Sequence, residues 1–240
     1  MTAAFRAEAL EPDATGPLIL ALPKGRILAE CAPLLHAAGI HPHPDYANED
    51  SRALRFATDD PGLDVVRVRS FDVATFVAFG AAQIGICGAD VLMEFDYPEI
   101  YAPLDLGIGA CRVSVAEPKA TAGTDDPQTW SSIRVATKYP NIARRHYASR
   151  GINADIVHLN GAMELAPALG LTRVIVDLVA TGSTLKANGL VETEVIAKVT
   201  SRLIVNRTAL KTRPEAIGAM IARFRDSLGA LSRDALATLA

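Results

Sequence analysis

Neither sign of charge dominates this sequence of 240 residues: 24 Lys and Arg stand against 27 Asp and Glu, a formal net charge of −3. That argues against a general nucleic-acid binder but leaves room for local cation clusters that hold a small anion. Cysteine is scarce. Cys31, Cys87 and Cys111 are scattered and lack metal spacing. They are expected as buried thiols in a reducing, cytoplasmic setting. No long apolar run opens the chain. Residues 1–16 include Glu8, Glu11 and Asp13 and are expected to form a loose tail, neither signal nor transit peptide. The most membrane-like stretch, 73–89, is uncharged but is interrupted by Gly80, Gln83, Gly85 and Gly88. It fits a buried helix followed by a buried strand better than a membrane span. Internal repeats and low-complexity tracts are absent as well.

Half of the residues are hydrophobic, enough for one large core or two smaller ones. The most informative stretch is 174–190, V-I-V-D-L-V-A-T-G-S-T-L-K-A-N-G-L. Val174-Ile175-Val176 has the β-branched character of a buried strand. Asp177 falls near its end, a small hydroxyl-rich turn (residues 180–184) follows, and a helix-forming run stops at Gly189. This order suits a ribose 5-phosphate. Backbone N–H groups at a helix start bind phosphate, and the hydroxyls of Thr181, Ser183 and Thr184 add donors. Gly182 lets the backbone approach closely. Asp177 can accept hydrogen bonds from ribose hydroxyls. The plainer reading is an ordinary strand-turn-helix connection with a Ser or Thr cap.

Elsewhere, 18–22 is an apolar run expected as the first strand. It leads through Lys24-Gly25-Arg26 into a helix over 27–38 that Gly39 stops. Two cations at a strand end suggest an anion site, although solvated Lys and Arg on a loop are commoner. His41-Pro42-His43-Pro44 lacks further metal ligands and is expected as a solvated loop. Residues 52–56 and 65–69 are expected strands, with Arg52, Arg55, Arg67 and Arg69 alternating with apolar positions. Asp72 is placed to cap a helix over 73–79. A strand over 84–87 ends at Gly88-Ala89-Asp90. Asp90 either caps the next helix or helps hold a ligand at the strand's carboxyl end. A crossover falls near Leu106-Gly107. The strand expected over 133–137 meets Lys138, Pro140 and Arg144, so cations again sit between a strand end and a helix start. Strands over 156–159, 192–198 and 201–205 and an amphipathic helix over 214–228 complete the pattern. The order implies two α/β domains: 17–106 with 197–240, and 107–196 carrying the hydroxyl-rich loop.

The loop resembles the phosphoribosyl-diphosphate (PRPP) loop of phosphoribosyltransferases. Together with N-G-A-M-E-L-A-P at Asn160, L-P-K-G-R at Leu22, R-S-F-D-V at Arg69, G-I-C-G-A-D-V-L-M-E at Gly85, C-R-V-S-V-A at Cys111 and A-T-K-Y-P-N at Ala136, the chain resembles the ATP phosphoribosyltransferase family from Leu20 to about Asn206. The polar segment 121–130 matches no pattern and is expected to lengthen a surface loop. The resemblance implies a two-lobed fold of the type II periplasmic-binding-protein kind, with the active site in the cleft. It implies the reaction of ATP and PRPP to N1-(5-phosphoribosyl)-ATP and diphosphate, the first step of histidine biosynthesis, with Mg²⁺. Only about one helix follows Pro214, which matches the short form of the family. That form implies a separate regulatory subunit similar to histidyl-tRNA synthetase, in a hetero-oligomer.

On this reading Asp177, Lys24 and Arg26 serve catalysis. Asp177, Thr181, Gly182, Ser183 and Thr184 hold PRPP. Arg52, Arg69, Asp90, Arg112, Lys138, Arg144 and Glu164 serve ATP and diphosphate; no metal ligands are assigned. Two rivals differ in observable ways. A two-lobed solute-binding protein normally carries an export signal. A phosphoribosyltransferase for free bases usually places two adjacent acids before its loop, where this chain has Val176-Asp177.

Overall fold

The computed structural model describes residues 16–48, 50–124 and 129–237, with side chains through Leu231. The expected N-terminal tail therefore lies, up to residue 15, outside the described residues, as do residues 125–128 of the polar loop.

Aliphatic runs become strands where both faces are covered. Strand β1 (Leu18–Pro23) is buried at every position but Ile19. Helix α1 (Arg26–Ala37) buries Leu28, Cys31, Leu34 and Leu35, one stripe at helical spacing. Strand β2 (Arg55–Ala57) is short, and β3 (Leu63–Val68) alternates between buried and half-buried residues. Helix α2 (Ser70–Ala78) leads to β4 (Ile84–Gly88), which is buried throughout. Helix α3 (Ala89–Phe95) and β5 (Ile100–Asp105) follow. Next come β6 (Cys111–Pro118), β7 (Ser132–Thr137), α4 (Pro140–Ala148) and β8 (Asn153–His158). Helix α5 (Leu165–Ala168), β9 (Val174–Val179) and α6 (Ser183–Ala187) precede the long strand β10 (Leu190–Val199). Strand β11 (Ser201–Asn206), α7 (Arg207–Thr212) and α8 (Pro214–Ala237) end the described chain.

The strands form two sheets, in the orders β2-β3-β1-β4-β11-β5 and β10-β6-β9-β7-β8. In the first, β3, β1 and β4 run parallel and β2 is antiparallel to β3. In the second, β8, β7 and β9 run parallel, β6 is antiparallel to β9, and β10 is antiparallel to β6. The pairing of β10 shifts register twice, between Glu192 and Glu194 and between Val195 and Ala197.

The chain divides into two compact units. Among the described residues, one gathers the chain from 16 to Ile86, Pro98–Leu104 and the chain from Leu203 to 237. The other gathers Cys87–Tyr97 and Asp105–Arg202. Segment Cys87–Tyr97, placed with the first domain on the sequence pattern, groups with the second unit because α3 bonds to α4. The Glu94 carboxylate accepts from the N–H groups of Asn141 at 2.9 Å and Ile142 at 3.0 Å.

Several local expectations shift. Helix α2 starts at Ser70, so Asp72 lies inside its first turn instead of capping it. Arg67 is 2 % exposed. It donates to the carbonyls of Tyr46, Asn48 and Ser51 at 2.7, 2.8 and 3.0 Å, a structural role that closes a loop. Cys31 and Cys87 are buried free thiols, whereas Cys111 is half-buried. Burial, with a smaller push from Glu30, raises the Cys31 thiol to about 12. No helix among the described residues is long and apolar enough to cross a membrane.

Candidate active site

Parallel strands expose their following loops on one sheet edge, the usual place for ligands in α/β units. In the first unit Pro23 pairs with Val68, so β1 and β3 end together. Lys24, Arg26 and Arg69 are all exposed in the loops and helix starts that follow these ends. The Lys24 N–H continues the ladder to the Val68 carbonyl at 2.8 Å, which sets Lys24 beside Arg69 in the chain path. Arg52, also exposed, precedes β2. Because β2 runs against β3, its start lies at the same edge. Arg26 makes an i,i+4 ion pair with Glu30 at 3.6 Å.

In the second unit the carboxyl edge of β7, β8 and β9 carries Lys138, the segment leading to Glu164, and the hydroxyl-rich loop. Val179 before the loop and Leu185 after it both enter a core cluster with Ala116, Ala136, Met163 and Ile175. Each such large side chain contributes about 2 kcal/mol when fully buried, so the loop is pinned on both sides. Gly182 adopts φ +79° and ψ 3°, a left-handed conformation that glycine enters freely. The Thr181 and Ser183 hydroxyls lie 2.9 Å apart, and the Ser183 N–H donates to Thr181 Oγ1 at 3.3 Å.

A cavity of about 170 Å³ joins the acid to the loop. It is lined by Glu164, Asp177, Ala180, Thr181, Gly182 and Thr184. The structure thus brings together four of the five residues expected to hold PRPP, plus Glu164. Ser183 is exposed on the loop but does not line this cavity. The Asp177 carboxyl is pushed up to about 6, chiefly by burial and also by the charge of Glu164. A hydrogen bond from the Leu178 N–H, at 2.8 Å, and the charge of Lys138 oppose that rise. On another side of the loop a larger cavity, about 570 Å³, is lined by Arg112, Lys119, Thr181, Gly182, Lys186 and Glu192.

Other candidates sit differently. Asp90 is 5 % exposed in the first turn of α3 and accepts from the Tyr139 hydroxyl at 2.8 Å. Burial raises the Asp90 carboxyl, and the Tyr139 hydrogen bond partly offsets it. The helix start after Lys138 is already occupied, since Glu94 takes the N–H groups at the head of α4. Lys138 is half-buried at the end of β7, and Arg144 is exposed on α4. Arg112 is paired in a fork with Glu192, with Nε 2.5 Å from Oε1, and also donates to the Ala180 carbonyl at 3.0 Å. Ser114 donates to the same Glu192 carboxylate at 2.7 Å. Sequence reasoning missed Glu192, Ser114, Tyr139 and Glu94. Their only signal was alternation along a strand or proximity to a motif, which does not name a partner far off in the chain.

Two mixed sheets, each with three neighbouring parallel strands, in separate α/β units, with an acid ahead of a Thr-Gly-Ser-Thr turn, define a phosphoribosyltransferase built on the two-lobed, type II binding-protein fold. Comparison with known proteins narrows the class. The family model HisG, ATP phosphoribosyltransferase, matches residues 69–226. The ATP phosphoribosyltransferase of Gluconobacter oxydans is 73 % identical over 213 residues, 88 % of each chain. The solved ATP phosphoribosyl transferase (HisG:HisZ) complex from Thermotoga maritima contains a chain with a TM-score of 0.75 and 31 % identity, covering 89 % of this chain and 99 % of that one. The periplasmic aliphatic sulphonate binding protein SsuA from Escherichia coli shares the fold alone, with a TM-score of 0.56 at 12 % identity over 93 % of this chain and 76 % of that one. The chain belongs to the ATP phosphoribosyltransferase family, pentosyltransferases that carry out the first step of histidine biosynthesis.

Proposed function

We propose that the cavity at the end of β9 holds the ribose 5-phosphate part of PRPP in a reaction with ATP that forms N1-(5-phosphoribosyl)-ATP and releases diphosphate. The observation that carries this reading is the meeting of Asp177 with Thr181, Gly182 and Thr184 around one small cavity. Backbone N–H groups and hydroxyls of residues 181–184 take the 5-phosphate. Asp177 accepts from the ribose hydroxyls. Lys24, Arg26, Arg52 and Arg69, with Lys138 and Arg144, take the phosphates of ATP and the departing diphosphate. Glu164 lies next to Asp177 and serves the same end of the site.

The bond between the ribose anomeric carbon and diphosphate breaks as adenine N1 attacks. Positive charge builds on the ribose, as in glycoside cleavage. Adenine N1 already has a free lone pair at neutral pH, so no strong base is needed to make it a nucleophile. Positioning and electrostatics supply most of the rate. Mg²⁺ belongs to this proposal. No cluster of three or more His, Cys, Asp or Glu ligands occurs among the described residues. The donor set of Asp177 and Glu164 suits a cation that substrate phosphates help to hold. When bound, Mg²⁺ would neutralise charge on the diphosphate as it leaves.

The reading also includes the short form of the enzyme, working in the cytoplasm with a regulatory subunit that resembles histidyl-tRNA synthetase. The Thermotoga maritima neighbour is a HisG:HisZ complex, and the buried free thiols Cys31 and Cys87 suit a reducing compartment. The test is to incubate the purified chain with ATP, PRPP, Mg²⁺ and pyrophosphatase, with and without such a subunit, and to follow product by ultraviolet absorbance. Product in either mixture supports the assignment, and the difference measures the need for the partner. PRPP binding without product would send the search to another acceptor, and no PRPP binding would end the assignment of the loop.

A further inference from the structure

Arg112 was expected to face phosphates, yet its hydrogen bonds run elsewhere. It stands at the start of β6, the strand that lies between β10 and β9 in the sheet. From there its guanidinium forks onto Glu192 of β10, with Nε 2.5 Å from Oε1 and Nη2 on Oε2. Its remaining arm, Nη1, reaches the Ala180 carbonyl just past β9, at 3.0 Å. Ser114, two residues along the same strand face, holds the Glu192 carboxylate from the side at 2.7 Å. Arg112, as the largest cause, with Ser114 and against a smaller effect of burial, keeps the Glu192 carboxyl below its ordinary range.

We infer that Arg112, Glu192 and Ser114 form a positioning device for the phosphate loop, with Arg112 acting on the Ala180 carbonyl and not on a phosphate. This rests on the reading of residues 181–184 as the 5-phosphate site. A peptide unit is planar and trans, so the Ala180 C=O and the Thr181 N–H point in opposite directions. Holding the carbonyl toward Arg112 turns the Thr181 N–H away from it. Of these two cavities Arg112 lines the larger, while Ala180 and Thr181 both line the smaller one that contains Asp177. The same clamp thus orients the first donor of the loop. It also provides the Ala180 carbonyl with a strong, charged donor two residues before Gly182, whose backbone would otherwise sample many conformations. A guanidinium is required because only its planar fork engages a carboxylate with two N–H groups while a third N–H reaches a carbonyl.

The test uses two fragments of PRPP as separate probes, ribose 5-phosphate and inorganic diphosphate, titrated calorimetrically into the full chain. Arg112→Met and Glu192→Gln should each weaken ribose 5-phosphate about tenfold, the scale of one lost charge-assisted hydrogen bond, and leave diphosphate affinity within about twofold. In steady-state assays with the regulatory subunit, KM for PRPP should rise while KM for ATP holds. Arg112→Lys keeps the charge but loses the fork, and should fail to rescue. If Arg112 instead touched diphosphate, Arg112→Met would weaken diphosphate and spare ribose 5-phosphate. Glu192→Gln, which frees the guanidinium, would then tighten diphosphate. Either result overturns the inference. Thr184→Ala separates it from the reading beneath it. Weaker ribose 5-phosphate in Thr184→Ala but not in Arg112→Met or Glu192→Gln sinks the clamp alone. No ribose 5-phosphate binding by the unaltered chain, or no change in Thr184→Ala, sinks the loop assignment and the clamp with it. Thermal melts confirm that each variant is folded before titration.

Discussion

Tyr139 donates its hydroxyl to Asp90 Oδ2 at 2.8 Å, and both side chains are buried, at 2 % and 5 % exposure. The pair joins the first turn of α3 to the segment between β7 and α4. It gives a carboxylate that the sequence offered as a ligand a partner within the protein, on a neighbouring loop. Burial is the main cause raising both groups, with the charge of Asp90 raising the tyrosine further.

Tyr139→Phe keeps the ring and removes the donor. A buried carboxylate that loses its side-chain donor, while keeping the backbone N–H groups of Asp90 and Val91, costs about 1–3 kcal/mol. Chemical denaturation should show that loss, with the slope in denaturant unchanged. A stability equal to that of the parent chain would mean that the hydroxyl contributes nothing.

Gly88 leaves room for the Asp90 carboxylate. A Cβ placed there would lie 2.0 Å from Asp90 Oδ1 and 3.2 Å from its Cγ. Gly88→Ala must displace the Asp90 carboxylate, and with it the bond to Tyr139. We expect a loss at least as large as that of Tyr139→Phe, and a double variant that is less than additive. A thermal or denaturant cycle over the two single variants and the double variant measures this.

Glu94 caps α4 through the N–H groups of Asn141 and Ile142. Glu94→Ala leaves those donors without their acceptor and should cost about 1–2 kcal/mol. Amide exchange should accelerate first at Asn141 and Ile142. Uniform acceleration along α4 would instead indicate loss of packing.

The role proposed for Asp177 comes with a cost in stability. Its folded carboxyl sits near 6, above its ordinary 3.8. The folded state therefore holds that proton more tightly than the unfolded chain. The contribution favours folding at low pH, is lost as pH rises toward 6, and stays lost above it. Asp177→Asn should accordingly stabilise the protein at pH 7.5 by up to about 2–3 kcal/mol and lose that advantage below about pH 4. Its PRPP KM should rise tenfold or more. Thermal melts across pH together with kinetics test both halves.

The same titration sets a kinetic limit. The ionised carboxylate is the stronger acceptor for ribose hydroxyls, so with the role proposed for Asp177 kcat/KM for PRPP should fall as pH drops through about 6 in the parent chain. Asp177→Asn should flatten that limb. A limb that persists unchanged in the variant would assign it to another group.

Much of this was legible in the sequence. The β-branched run at Val174 and the glycine-stopped helix after Lys24 announced β9 and α1, since hydrophobic period and capping are local properties. The loop at 180–184 was legible because all its chemistry is contiguous. Strand β5 was not, since Pro103 interrupts an otherwise modest pattern. The structure accommodates that proline on a sheet edge, where a missing N–H is tolerated. Least legible were the side-chain pairings. Arg112 and Glu192 are 80 residues apart, and Asp90 and Tyr139 are 49 apart. No local pattern tells whether an arginine will meet a phosphate or a carboxylate; only the strand order, with β6 between β10 and β9, decides it.

That strand order leaves β10, ten residues long, on the rim of its sheet. A straight rim of that length is a template on which another chain could dock strand to strand. The two register shifts along β10 bend it out of line, and Glu192, Glu194 and Lys198 set charges along it. Any approaching strand would meet a broken ladder and would have to desolvate ions to stay. The irregularity along β10 therefore makes it a poor edge for strand-to-strand docking, and straightening β10 by deletion should raise the tendency of the chain to aggregate.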